Sequence, residues 1–223
     1  MLKELELNPN ALMDLNTFYH MYKTMVNSSF DEEDPEKKIM VTWAINGVSA
    51  AFERFCNRRL KARDYSYKVG GANYNPAYTI FDPPPKNVFW FPTYPVNSLT
   101  TLLVFGNVVT PSTNSLATDG YILYNKTGKL IYDQGFYIGY YKTIQTEWNG
   151  GYEEGSYEMA ELQVLCFRMV NSLLQAKSNP LLQSETIGGY QYQLFSPTLI
   201  NAMRGLSPDV YSGLGRFRRE AIG

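Results

Sequence analysis

The sequence predicts an α+β protein: a helical bundle core of about four helices, an antiparallel β segment inserted into it, and an extended C-terminal tail. Three observations lead there. Two stretches before residue 60 place apolar side chains at steps of three and four, the helical period. From Leu60 to Tyr152 Gly, Pro, Asn and Thr become frequent, and apolar residues alternate or come in short runs. Helical spacing returns at Tyr157 and fades near Leu206. The predicted parts are therefore 1–60 (N-terminal helices), 61–153 (β-rich insertion), 154–205 (C-terminal helices) and 206–223 (tail). Each helical stretch has an apolar face to bury, so the two flanks are expected to pack together.

The first helix is predicted over 11–26, with Leu12, Leu15, Tyr19, Tyr22 and Val26 on one face and Asn10 as N-cap. Acidic residues Asp31 to Glu36 around Pro35 favour a second helix start, because the helix N-terminus attracts negative charge and tolerates Pro. That helix runs to about Cys56, with a stripe of Ile39, Met40, Trp43, Ala44, Gly47, Val48, Ala51, Phe52 and Phe55. Its Gly and Ala residues leave room for a close neighbour. Strands are expected at 64–69, 78–81, 88–91, 99–105, 120–124, 129–133 and 136–148. Asn125-Lys126-Thr127-Gly128 reads as a hairpin turn. The Pro-bearing stretches 82–85 and 91–95 are expected as loops or edges, since Pro cannot donate to a ladder. The third long helix begins near Tyr157, with Met159, Leu162, Leu165, Cys166, Met169, Val170, Leu173 and Leu174 on its apolar face. It stops before Asn179-Pro180. A turn and a strand-like stretch fall within 183–195, and a short helix near 197–204. The tail has little in its own composition to pack on.

Composition narrows the function. The 223 residues are 44% hydrophobic, 18% charged and 15% aromatic, with 18 Tyr. Twenty Lys and Arg balance 21 Asp and Glu for a net charge of −1. A chain that grips phosphate over its whole surface is not expected. With only Cys56 and Cys166 there is no disulfide scaffold. With a single histidine, His20, His-based metal sites and Ser-His-Asp catalysis are not expected. The first residues, MLKELELNPN, do not read as a signal peptide, and no apolar run reaches membrane-spanning length.

Motifs for chemistry are sparse. There is no P-loop, and Gly213-Leu214-Gly215 lacks the third glycine of a dinucleotide fingerprint. The acidic run 31–36 does not have EF-hand spacing. Of the acids in the β segment, Glu147 beside Trp148 is the most suggestive of a sugar-active carboxylate. A strand end followed by a glycine turn explains it more simply. Two basic groups stand out. Arg54, Arg58, Arg59, Lys61 and Arg63 either line a nucleic-acid path or stabilise a helix C-terminus. Arg216-Phe217-Arg218-Arg219, with Arg204 upstream, combines the residue types that concentrate binding energy at interfaces.

The order of segments resembles the head–tail connector (adaptor, or head-completion) proteins of tailed bacteriophages. The helix closing in Ser49-Ala50-Ala51-Phe52-Glu53-Arg54-Phe55-Cys56-Asn57-Arg58-Arg59-Leu60 is similar to that family's Ala-rich helix ending in an aromatic and Arg. The Pro-Val step at Tyr94-Pro95-Val96-Asn97-Ser98-Leu99, the Gly-Gly-Tyr turn at 150–152 and Ser184-Glu185-Thr186-Ile187-Gly188-Gly189-Tyr190 follow in the family's order. The resemblance spans about residues 10–220. The stretch 64–92 is longer and richer in Pro than in the family, and Trp148-Asn149 replaces the usual turn pair.

The resemblance implies a non-enzymatic virion protein without cofactors, located at the neck and assembled in the host cytoplasm. It implies a ring, usually dodecameric, below the portal protein, which extends the DNA channel and offers a surface to the next neck or tail protein. DNA would pass without sequence-specific binding, and no membrane is involved. On that reading Arg204, Arg216, Phe217, Arg218 and Arg219 dock on the portal, and Arg54, Arg58, Arg59, Lys61 and Arg63 face the channel. The alternative reading is a carbohydrate- or receptor-binding β module on a helical base. A small hydrolase using acids of the β segment is a third.

Overall fold

A computed structural model describes residues 6–26, 31–68, 87–104, 106–135, 144–178, 184–187, 190–193 and 206–218. The fold is α+β, with helices in both flanks and antiparallel sheets between them. The chain divides into two units: Met1–Arg58 with Gly155–Gly223, and Arg59–Glu154. The predicted strand 78–81, the short helix near 197–204 and the alternation of Phe136, Ile138 and Tyr140 lie outside the described residues.

In the helical unit, α1 spans Leu15–Met21 and continues as a wider π-type turn through Tyr22–Val26. The N-cap is Asp14, not Asn10: its carboxylate accepts from the Thr17 N–H at 2.6 Å. Ala11, Leu12 and Met13 are buried ahead of the helix, in a turn anchored by the Leu12 N–H donating to Ser49 Oγ at 3.1 Å. Helix α2 spans Pro35–Cys56. Asp34 caps it, Pro35 occupies its first turn, and Asn57 ends it in the left-handed conformation at φ 52°. Helix α3 spans Tyr157–Ser178 and buries Met159, Leu162, Leu165, Cys166, Phe167 and Val170. Phe18 meets Phe167 with ring centroids 5.5 Å apart, which joins α1 to α3. Strands β8 (Ser184–Ile187) and β9 (Tyr190–Gln193) pair antiparallel.

Two further expectations about this unit are corrected. The buried face of α2 is Val41, Thr42, Ile45, Val48, Ser49, Phe52, Phe55 and Cys56, with Trp43 and Gly47 turned outward. Thr42 and Ser49 can face inward because each hydroxyl is satisfied: Thr42 donates to the Lys38 carbonyl at 2.8 Å and Ser49 accepts from Leu12. The second correction concerns the C-terminus. Residues 206–218 are not an extended tail. Pro208–Gly215 forms a helix, α4, and Leu206, Val210, Leu214 and Phe217 are buried. Those four recur at steps of four, four and three, a helical face hidden by the glycines between them.

The β unit contains a four-stranded sheet in the order β1 (Arg63–Lys68), β7 (Ile144–Gly150), β3 (Val96–Val104), β4 (Asn107–Val108). A three-stranded sheet runs β2 (Val88–Trp90), β6 (Lys129–Tyr132), β5 (Tyr121–Tyr124). All pairs are antiparallel. The predicted turn Asn125–Gly128 joins β5 to β6, with Gly128 at φ +68°. The short strand β4 is not among the predicted ones. Along β7, burial alternates: Ile144, Thr146 and Trp148 point inward and Glu147 points to solvent. The core gathers Phe89, Phe91, Leu102, Val104, Leu130, Ile144 and Trp148. Trp148 stacks on Tyr65 with centroids 5.1 Å apart.

Candidate assembly surfaces

The C-terminal segment is the first candidate. Helix α4 lies on α2 and α3: Tyr211 meets Phe55 edge-on at 5.1 Å, and Gly213 sits where a Cβ would be 2.8 Å from Leu165 Cδ2. Arg58, 5% exposed, donates from Nε to the Phe217 carbonyl at 2.9 Å. Arg216 pairs with Glu161 and stands 4.7 Å from the Phe217 ring centroid. Arg168 reaches Asp209 at 3.9 Å. Phe217 itself is 1% exposed, so it is a core side chain and not an exposed anchor. What the segment offers outward is Arg216 and Arg218, the latter 5.8 Å from the Phe55 ring. Arg204 and Arg219 lie outside the described residues.

The basic run is divided between the two units. Arg54 is exposed on the last turn of α2. Arg58 is buried, and its contact with Phe217 gives it a structural role in place of the expected exposed one. In the β unit Arg59 is half-buried, Lys61 bonds Glu154 at 2.7 Å, and Arg63 covers the Tyr65 ring at 4.8 Å. Those pairings neutralise or mask part of the charge that the sequence displays.

The β unit presents a row that sequence reasoning missed. Trp90, Lys129 and Tyr124 are directly opposite one another across β2, β6 and β5. Lys129 Nζ lies 5.8 Å from the Trp90 ring centroid and 5.9 Å from that of Tyr124. Val88, Ile131 and Ile122 form the next row on the same face. None of the six is fully buried. The signal was available as parity: Phe89 and Leu130 belong to the core, so their neighbours in sequence must face the other way.

The Cys56 and Cys166 thiols are buried, and desolvation pushes each up to about 12, which keeps them protonated. Glu147 is exposed on β7 while its neighbour Trp148 packs in the core, so the pair does not converge on one site. A cavity of about 390 Å³ near Val108, Asp119 and Gln134 is open to solvent. Asp119 accepts from the hydroxyls of Ser112 and Thr113, which hold its carboxyl near 2. Its bonds are spent within its own loop. Among the described residues, no three or more His, Cys, Asp or Glu side chains gather as a metal site, and no helix is long and apolar enough to cross a membrane.

No family model and no curated protein matches the sequence. Solved structures do. A chain from the neck of an empty GTA particle computed with C6 symmetry superposes with TM-score 0.51 at 14% identity, covering 100% of this chain and 98% of that one. A chain from the virion of a native gene transfer agent particle gives TM-score 0.51 at 14% identity, covering 100% and 99%. The likeness is one of fold. It runs the full length of both chains, so it includes the helical flanks and the β insertion alike.

Proposed function

We propose that this chain is a structural protein of the virion neck, a connector subunit that forms a ring below the portal of a tailed phage or phage-like particle. One observation carries the reading: the end-to-end likeness of fold to chains from the neck and virion of gene transfer agent particles. The inert buried thiols, the dispersed acids and the aromatic surface row are in keeping with assembly rather than catalysis. The ring extends the DNA channel and is dodecameric. It presents one surface to the portal and another to the next neck or tail protein.

On this proposal the portal contact uses Arg216 and Arg218, with Arg219 next to them in sequence and Arg204 upstream. Phe217 supports them from within. Arg54, Arg59, Lys61 and Arg63 supply the positive charge for the channel, and Arg58 positions the C-terminal segment. The Trp90–Lys129–Tyr124 row suits the contact below.

Native mass spectrometry of the purified chain, alone and with the portal ring of the same particle, tests the proposal. A ring of about a dozen copies, or free subunits that assemble into that ring only on the portal, is the expected result. A chain that never assembles and ignores the portal overturns it. A second test is specific to the docking residues. The double variant Arg216→Glu/Arg218→Glu should fold and lose portal attachment, and undiminished attachment would rule these residues out.

A further inference from the structure

Helix α2 has two apolar faces, and the helical unit covers one of them. Turned away from Val41, Ile45, Val48 and Phe52 is a row at steps of three and four: Glu36, Met40, Trp43, Gly47, Ala50 and Arg54. None of the six is buried. Trp43 keeps 51% of its surface exposed, and a Cβ added to Gly47 would meet nothing within 4 Å. Single exposed apolar residues are ordinary. A tryptophan heading a strip of glycine and alanine that faces open space is a shape with a matching hole beside it.

We infer that this row binds the same row of a second copy, the two α2 helices lying antiparallel about a twofold axis between Trp43 and Gly47. The row is complementary to itself when reversed. With the axis level with residue 45, Trp43 of one copy falls on Gly47 of the other, Met40 on Ala50, and Glu36 on Arg54. Large meets small twice, and acid meets base, on each side of the axis. Glu36 and Arg54 are about 27 Å apart along the helix at 1.5 Å per residue, so both ion pairs close together. A parallel pair would oppose glutamate to glutamate and arginine to arginine. Gly47 and Ala50 permit the close approach of axes that such packing needs. A twofold contact is closed at two copies, so it is distinct from the head-to-tail contact of a ring and does not rest on the proposed function.

Sedimentation velocity on the full chain over a concentration series tests the inference. The wild type should show a monomer–dimer equilibrium. Trp43→Ala should weaken it at least tenfold, as loss of a central aromatic anchor does. Glu36→Arg and Arg54→Glu should each weaken self-association. Mixed one to one, those two variants should pair with each other, because every opposed position then carries opposite charge. Far-UV circular dichroism of each variant should match the wild type, since all six positions face away from the core. A wild-type chain that stays monomeric overturns the inference. So does a dimer indifferent to Trp43→Ala, or charge variants that fail to recover on mixing.

Discussion

Replacing Phe217 by Ala tests whether the C-terminal segment belongs to the fold. Phe217 is 1% exposed, follows α4, and its carbonyl accepts from the buried Arg58 Nε at 2.9 Å. Truncating a fully buried phenylalanine costs about 3–5 kcal/mol, from lost transfer free energy plus the cavity left behind. The main-chain bond to Arg58 survives the substitution, so the loss reports the ring. Arg58→Met probes the other half of that contact. It leaves the Phe217 carbonyl without its buried donor, which costs about 1–3 kcal/mol. Arg218→Ala is the control: the side chain is exposed, and its change should stay within about 0.5 kcal/mol. Urea titration followed by circular dichroism in the helical band measures all three. If Phe217→Ala behaves like Arg218→Ala, the side chain is solvated and α4 is not part of the helical core. The same reasoning says that deleting 206–223 destabilises the subunit, so a truncation cannot separate portal docking from folding.

Three further outcomes are expected. Gly151→Ala should destabilise the β unit by about 1–3 kcal/mol, because φ is +110° and a Cβ would stand 2.6 Å from the Lys61 carbonyl oxygen; thermal unfolding reads the loss, and an unchanged midpoint would contradict the backbone described for residues 61 and 151. Asp119 should titrate near 2 in an NMR pH series; its folded-state value lies below the ordinary 3.8, so the loop's stabilisation is present above about 4 and is lost as pH falls toward 2, and a midpoint near 4 would mean that Ser112 and Thr113 do not hold it. Cys56 and Cys166 should resist a thiol reagent in the native protein and react once it is unfolded, whereas rapid native labelling of either would place it at the surface.

The sequence made the fold class readable because the period of the apolar pattern changes near residues 60 and 154 and changes back. Pro35 after an acidic run marked the start of α2, and Asn125–Gly128 marked the hairpin of β5 and β6. Strand limits followed less closely, since the ladder continues through Val96-Asn97-Ser98 and Asn149-Gly150, whose polar and glycine residues read as turn. β3 begins at Val96, ahead of the expected 99, and β7 continues to Gly150 past the expected 148. The C-terminal helix was hidden by composition. Gly213, Gly215 and Gly223 suggested an extended segment, yet Gly213 occupies the place where α4 crosses Leu165 and a side chain would collide. Glycine there serves close packing rather than looseness, and only the neighbour reveals which.

The same limit governs the candidate surfaces. An arginine in sequence is a charge. In the fold Arg58 is a buried donor to a carbonyl, Arg63 a cover for a tyrosine ring, and Arg54 an exposed cation. Helix α2 sharpens the point. Its apolar residues fill more of its circumference than one helix–helix contact uses, so periodicity predicts an apolar stripe centred between two faces. The structure resolves the stripe into Val41, Ile45, Val48 and Phe52, which close the helical unit, and an opposite side of half-buried Met40 and exposed Trp43, Gly47 and Ala50. Burying Trp43 against a glycine of its own chain would require a second helix along that side, where an added Gly47 Cβ finds open space. A helix with apolar surface to spare on the side its own unit leaves open is a means of self-assembly. The opposite charges of Glu36 and Arg54 at the two ends of the row then select the direction in which a second helix can lie.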